Sequence, residues 1–96
     1  MLQYLIVAYD GTDTEAQERR TKVRPLHLET ARDLKLHNRF ITGGAILDNN
    51  GKMIGSMMVV QFETEDDLMY WMRNEPYITG NVWQSIEVKP FKVADI

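Results

Sequence analysis

The sequence contains no cysteine, which excludes disulfide bridges, thiolate metal clips and cysteine nucleophiles together. Three prolines and six glycines in 96 residues are too few for a low-complexity, collagen-like or linker-rich chain. Charge of one sign is also scarce: 11 Lys and Arg stand against 14 Asp and Glu, for a net −3 and a pI near 5.3. That balance argues against a nucleic-acid polyanion as main partner. No apolar run approaches the ~18 residues of a membrane span. The opening MLQYLIVAYDG lacks a basic n-region and meets Asp10 where a leader would need small residues. P-loop, GxGxxG and GxSxG patterns are missing. His27 and His37 do not share a helical face, so neither a metal nor any other cofactor is expected. These absences predict one domain, residues 1–96, in the cytoplasm, with no nucleic-acid and no membrane partner.

What is present alternates between strand and helix patterns. Residues 2–9 are rich in β-branched and aromatic side chains, and both alternating sets, Leu2/Tyr4/Ile6/Ala8 and Leu5/Val7/Tyr9, are largely apolar. DGTDT at 10–14 is turn and cap chemistry, with Thr12 and Thr14 each heading a capping-box pattern. A helix is predicted from there to about His37, with Pro25 either kinking it or opening a second segment. Residues 39–47 read as a second strand whose Gly43-Gly44 suggests a bulge or a close approach. Asn50-Gly51 makes a hairpin turn into a third strand, 53–63. Thr64 caps a helix over 65–74, its first turn acidic; Pro76 stops it, and a short loop leads to a fourth strand at about 82–89.

The order βαββαβ predicts an α+β ferredoxin-like fold, a four-stranded antiparallel sheet with two helices on one face. Surface scaling leaves such a chain hiding roughly 65% of its unfolded surface, enough for one modest core. Strand one is apolar on both sides. Strand three offers Ile54/Met58/Val60/Phe62 on one face and Met53/Met57/Val59 on the other. A second copy covering the open sheet face, a symmetric homodimer, is the economical completion.

Advancing ~100° per residue places Arg20, Val23, Arg24, His27, Ala31 and Leu34 on the sheet-facing side of the first helix. Arg20, Arg24 and His27 are spaced i, i+4, i+7 and stack along that stripe. One reading is a core histidine satisfied by a backbone carbonyl, with the arginines fanned into solvent. The other is a pocket in which His27 is a general acid or base and arginine holds a polar or anionic group of a small molecule. Glu75 shares a face with Leu68 and Met72, at a helix C-terminus where its charge opposes the helix dipole; it is either an indifferent surface residue or a partner for His27 or Arg24. Ser56 is a small polar group in an apolar strand face, tolerated at an edge or donating to a ligand.

The Tyr9-Asp10-Gly11 strand end, Arg20…Arg24-Pro25-Leu26-His27-Leu28, Gly43-Gly44, Gly55-Ser56, Glu75-Pro76-Tyr77 and Val88-Lys89-Pro90-Phe91 follow one another in an order that resembles the YciI-like, YCII-related family over nearly the whole chain. The resemblance implies a dimeric α+β barrel with a cleft holding a histidine and an acidic residue, which map to His27 and Glu75. The family's serine maps to Ser56. One relative in that family is a dehydrochlorinase of a chlorinated hydroxyquinol. The family usually writes Asp-Pro-Tyr where this chain has Glu75-Pro76-Tyr77, and Gly-Pro where it has Gly44-Ala45, so the acidic arm here is one methylene longer.

Three functions compete. The first is a small metal-free enzyme performing proton transfer or elimination, lyase-like, on a small polar, possibly aromatic, molecule. In it His27 is acid or base, Glu75 orients it, and Arg24, Ser56 and Arg20 bind the substrate. The second is a binding module or accessory subunit whose pocket holds a ligand unchanged. The third, RNA recognition on the sheet, is disfavoured: the third strand carries Met and Ser where stacking rings are needed, in an acidic chain.

Overall fold

The computed structural model describes residues 1–96. Seven elements follow one another: β1 (Leu2–Asp10), α1 (Ala16–Leu36), β2 (Phe40–Leu47), β3 (Met53–Phe62), α2 (Glu65–Asn74), α3 (Pro76–Thr79) and β4 (Trp83–Phe91). The strands form one antiparallel sheet in the order β2-β3-β1-β4. This is the ferredoxin-like α+β arrangement, with a one-turn helix added where the sequence predicts a loop. That extra turn has clear local causes. Pro76 occupies its first position, where a missing N–H costs nothing, and the Glu75 side chain accepts a hydrogen bond from the Tyr77 N–H at 3.1 Å.

The start of α1 departs from the predicted capping boxes at Thr12 and Thr14. Glu15 occupies the cap position and caps nothing with its side chain. Thr14 instead donates to the Glu15 carboxylate at 2.8 Å, and Asp13 is clasped by Arg19 through two bonds of 2.6 and 2.8 Å. The salt bridge to Arg19 ties the turn to the helix in place of a hydroxyl cap. Pro25 lies inside α1, which runs unbroken for 21 residues rather than dividing into two.

The β2–β3 turn forms as its residues demand. Asp48 Oδ1 accepts from the N–H groups of Asn50 and Lys52 at 2.8 and 3.0 Å, and Gly51 takes a φ of 82°, open to glycine at no steric cost. The bulge expected at Gly43-Gly44 is not there: the two residues pair regularly with Met58 and Met57, and the irregularities flank them, at Phe40/Thr42 and Ile46/Leu47. A Cβ on Gly43 would lie 2.8 Å from the Met57 carbonyl oxygen, so the glycine permits close approach instead of a register change. Thr64 caps α2 as predicted, accepting from the Asp67 N–H at 3.1 Å.

Tyr4, Ile6 and Ala8 of β1 and Met58, Val60 and Phe62 of β3 share one sheet face and are buried with Leu68 and Trp71 of α2, Tyr77 of α3, and Val82 and Trp83. The other set of β1, Leu5, Val7 and Tyr9, pairs with Val59, Met57 and Gly55 on the opposite face, which no helix covers; Tyr9 is 44% exposed. No helix is long and apolar enough to cross a membrane.

Candidate active site

The sheet-facing side of α1 delivers two buried polar side chains, Arg20 and His27, into this apolar layer. A buried charge is tolerated only when paired, and the pairing here comes from strand ends and turns. Asp10, the last residue of β1, accepts two bonds from Arg20 Nη1 at 2.9 and 3.0 Å, both side chains being almost wholly buried. Arg20 Nη2 donates to Ser56 Oγ at 3.0 Å, and Trp83 Nε1 donates to the same oxygen at 3.1 Å.

His27 has its own partner. Its Nδ1 lies 2.5 Å from Oε1 of Glu75, a side chain that is itself fully buried. The same Oε1 accepts the Tyr77 N–H, and Oε2 has no partner. With Nδ1–H donating to the carboxylate, Nε2 is left as the lone-pair nitrogen, and it makes no bond within the chain. The ring stacks on Tyr77 at a centroid distance of 3.9 Å and an interplanar angle of 12°, with Trp83 edge-on at 5.7 Å. The guanidinium carbon of Arg20 lies 4.9 Å from the Tyr77 centroid, so one aromatic ring touches both the Arg20 cation and the His27 imidazole. Burial pushes the Tyr77 hydroxyl pKa up, opposed by the nearby charges of Arg20 and Arg24, so the phenol keeps its proton. The hydroxyl oxygen has no partner in the chain.

Arg20, Arg24, His27, Ser56, Tyr77 and the Gly43–Ala45 stretch of β2 line a cavity of about 90 Å³. A hollow of about 570 Å³ along the outer side of α1, near Leu26, Glu29 and Asp33, is larger but gathers no buried polar group. The buried polar side chains therefore gather at the smaller cavity. No three His, Asp or Glu side chains come together in a cluster able to hold a metal ion.

All five residues singled out in the sequence meet here, and of the alternatives weighed for Glu75 the structure shows the pairing with His27. His27 is paired to a carboxylate and not to a backbone carbonyl. Glu75 does end α2, but it also begins α3, so its charge sits at a turn that supplies an N–H and is not stranded against a helix dipole. Arg24 is exposed at the rim with no partner in the chain. Arg20 departs from the expected substrate-binding role in geometry: its terminal nitrogens are occupied by Asp10 and Ser56. Asp10, Tyr77 and Trp83 were missed. Asp10 continues the Tyr4/Ile6/Ala8 alternation one step past the apolar run, and Tyr77 follows Glu75 by two residues; those are the signals that point to them.

The sequence matches the YCII-related domain over residues 2–92. The chain belongs to the YCII-related family. It is 33% identical over 95 residues to the protein YciI of Escherichia coli O6:H1, covering 93% of this chain and 95% of that one. It is 35% identical over 97 residues to a Haemophilus influenzae protein, covering 95% and 97%. Among solved structures it is similar to a 5-chloro-2-hydroxyhydroquinone dehydrochlorinase of Burkholderia phenoliruptrix in complex with 2,5-dihydroxybenzoquinone. There the TM-score is 0.81, the identity 22%, and the coverage 96% of this chain and 95% of that one. An antibiotic biosynthesis monooxygenase aligns with a TM-score of 0.58 at 15% identity over 99% of this chain and all of the other. These likenesses bear out the four-stranded, ferredoxin-like α+β fold.

Proposed function

We propose that this YCII-related protein is an enzyme of the lyase type in which His27 performs acid/base proton transfer or elimination on a small oxygen-bearing, ring-sized molecule. The observation that carries the reading is the buried Glu75–His27 pair, which leaves Nε2 unpartnered on a ring that lines a cavity. Nε2 takes a proton from the substrate. The released electron pair forms a new double bond and expels the leaving group from the neighbouring atom with its own electrons. Glu75 stabilises the imidazolium that results, and Tyr77 packs against it. Arg24 at the rim receives the substrate's negative charge. The likeness to a dehydrochlorinase bound to a hydroxyquinone supports this class of substrate.

The test is exchange of ring protons of a hydroxyhydroquinone with solvent deuterium, followed by NMR, with chloride release from its 5-chloro derivative alongside. Wild type accelerates both, and His27→Gln loses ~10²- to 10⁴-fold, the usual worth of one positioned acid or base. Equal rates in His27→Gln sink the assignment. A ligand that binds and returns unaltered, with no exchange, leaves the binding module in its place.

The second half of the proposal is a homodimer through the open sheet face. The chain exposes 6433 Å², against about 5,700 Å² for a compact monomer of its mass. The excess is comparable to one partner's share of a standard interface, about 800 Å². Light scattering at micromolar concentration is expected to give twice the chain mass; a monomer there refutes the dimer.

A further inference from the structure

A serine hydroxyl has two acceptor lone pairs and one hydrogen to donate. At Ser56 both lone pairs are filled by groups that can only donate: the Arg20 guanidinium at 3.0 Å and the Trp83 indole N–H at 3.1 Å. Arg20 is fixed in turn by two bonds to Asp10. No acceptor in the chain takes the Ser56 hydrogen, and the side chain lines the cavity beside His27. We infer that Ser56 is locked as a pure hydrogen-bond donor to the ligand, with Asp10, Arg20 and Trp83 as positioning residues, so that the site selects molecules presenting an oxygen acceptor at that point. Quinone carbonyls, phenolates and carboxylates qualify; an apolar edge or an N–H does not.

The arrangement has two consequences. Ser56 is not a nucleophile, because its oxygen faces two donors and no base. Arg20 is not the anion receptor either: its charge is cancelled by Asp10 inside the protein, which leaves Arg24 as the uncompensated cation at the cavity. A buried donor without a partner is costly, so a ligand that fails to supply an acceptor is rejected as well as unrewarded.

The inference rests on the proposed substrate class but fails separately from it. With only two tryptophans, the indole N–H region of a ¹⁵N-labelled sample holds two resonances. Trp83 is hydrogen-bonded, and Trp71 Nε1 has no partner. In Ser56→Ala the Trp83 resonance should move upfield while that of Trp71 stays, which also reports that the variant is folded. Binding of 2,5-dihydroxybenzoquinone should weaken ~10-fold or more in Ser56→Ala, whereas 1,4-dimethylbenzene, an apolar ring of similar size, should bind the variant more tightly than wild type because the unpartnered donor is gone. Asp10→Asn should lower the same quinone-to-hydrocarbon ratio, which a loss of general stability would leave alone. An unmoved Trp83 resonance, a quinone affinity unchanged in Ser56→Ala, an equal loss for both probes, or no quinone binding by wild type each overturns the inference. Ser56-dependent quinone binding with ring-proton exchange unaffected by His27→Gln would overturn the enzyme and leave the donor lock standing.

Discussion

Helix α1 carries the same chemistry twice, once inward and once outward, and the two copies are differently built. Neighbouring residues Arg19 and Arg20 each clasp an aspartate through two hydrogen bonds. Arg19–Asp13 lies at the surface, with side chains 27% and 45% exposed; Arg20–Asp10 is 3% and 5% exposed. The two histidines repeat the contrast. His37 meets Asp33 on its own helix in solvent, whereas His27 reaches 48 residues along the chain to a buried Glu75. The outward pairs use local partners and leave the surrounding atoms free. The inward pairs take partners from other elements, are extended by Ser56 and Trp83 in one case and by the Tyr77 N–H in the other, and end at a cavity. Burial, then, and not the identity of the ions, separates a pair that decorates a helix from one that assembles a site.

The comparison is broken most forcefully at Asp10. Asp10→Ala leaves the Arg20 charge buried and unpaired, a change expected to cost about 3–5 kcal/mol in urea unfolding. A loss as small as that of a surface pair would mean the inward pair is solvated in solution. The smallest effect is expected at Asp13. Asp13→Asn should lower the unfolding midpoint at neutral pH only slightly, and still less in high salt, because solvent and salt screen an exposed pair. The Arg19 guanidinium holds the Asp13 carboxyl well below its ordinary value of 3.8. Its contribution is therefore complete above that value and fades as pH falls towards the folded one. Acid titration of wild type and Asp13→Asn in low salt should give curves that converge below pH 3.8. Curves that diverge on acidification would reverse the sign and discredit the pairing.

Much of this division was legible in the sequence. The period-2 alternation of β1 and β3 separated the two apolar sheet faces without telling which of them the helices cover, and the ~100° step along α1 turned Arg20 and His27 inward. Asn50-Gly51 and Thr64 each marked a turn and a cap that formed. The failures have a common cause: each depends on a partner supplied by another element. Asp10 looked like turn chemistry because its ion pair exists only once α1 packs over the end of β1, near a register shift at Tyr9/Asp10 where β1 pairs with β4. Thr12 and Thr14 carried cap patterns, but Arg19 won the turn by seizing Asp13. Trp83 carries no polar signal in the sequence, and its indole N–H became a partner of Ser56 only when β4 lay beside β1.

Glu75 carries a consequence for how this protein tolerates change. One of its oxygens both starts the turn of α3 and holds His27, so the residue that shapes the backbone is also the residue that sets the tautomer of that imidazole. Folding and chemistry are not separable by substitution there. A variant library would score position 75 as intolerant under selection for abundance as well as for activity. Position 24, where an exposed arginine has no partner within the chain, should be intolerant under activity alone. On the proposed reading, drift reaches ligand choice through the rim while His27 is held by the demands of the fold.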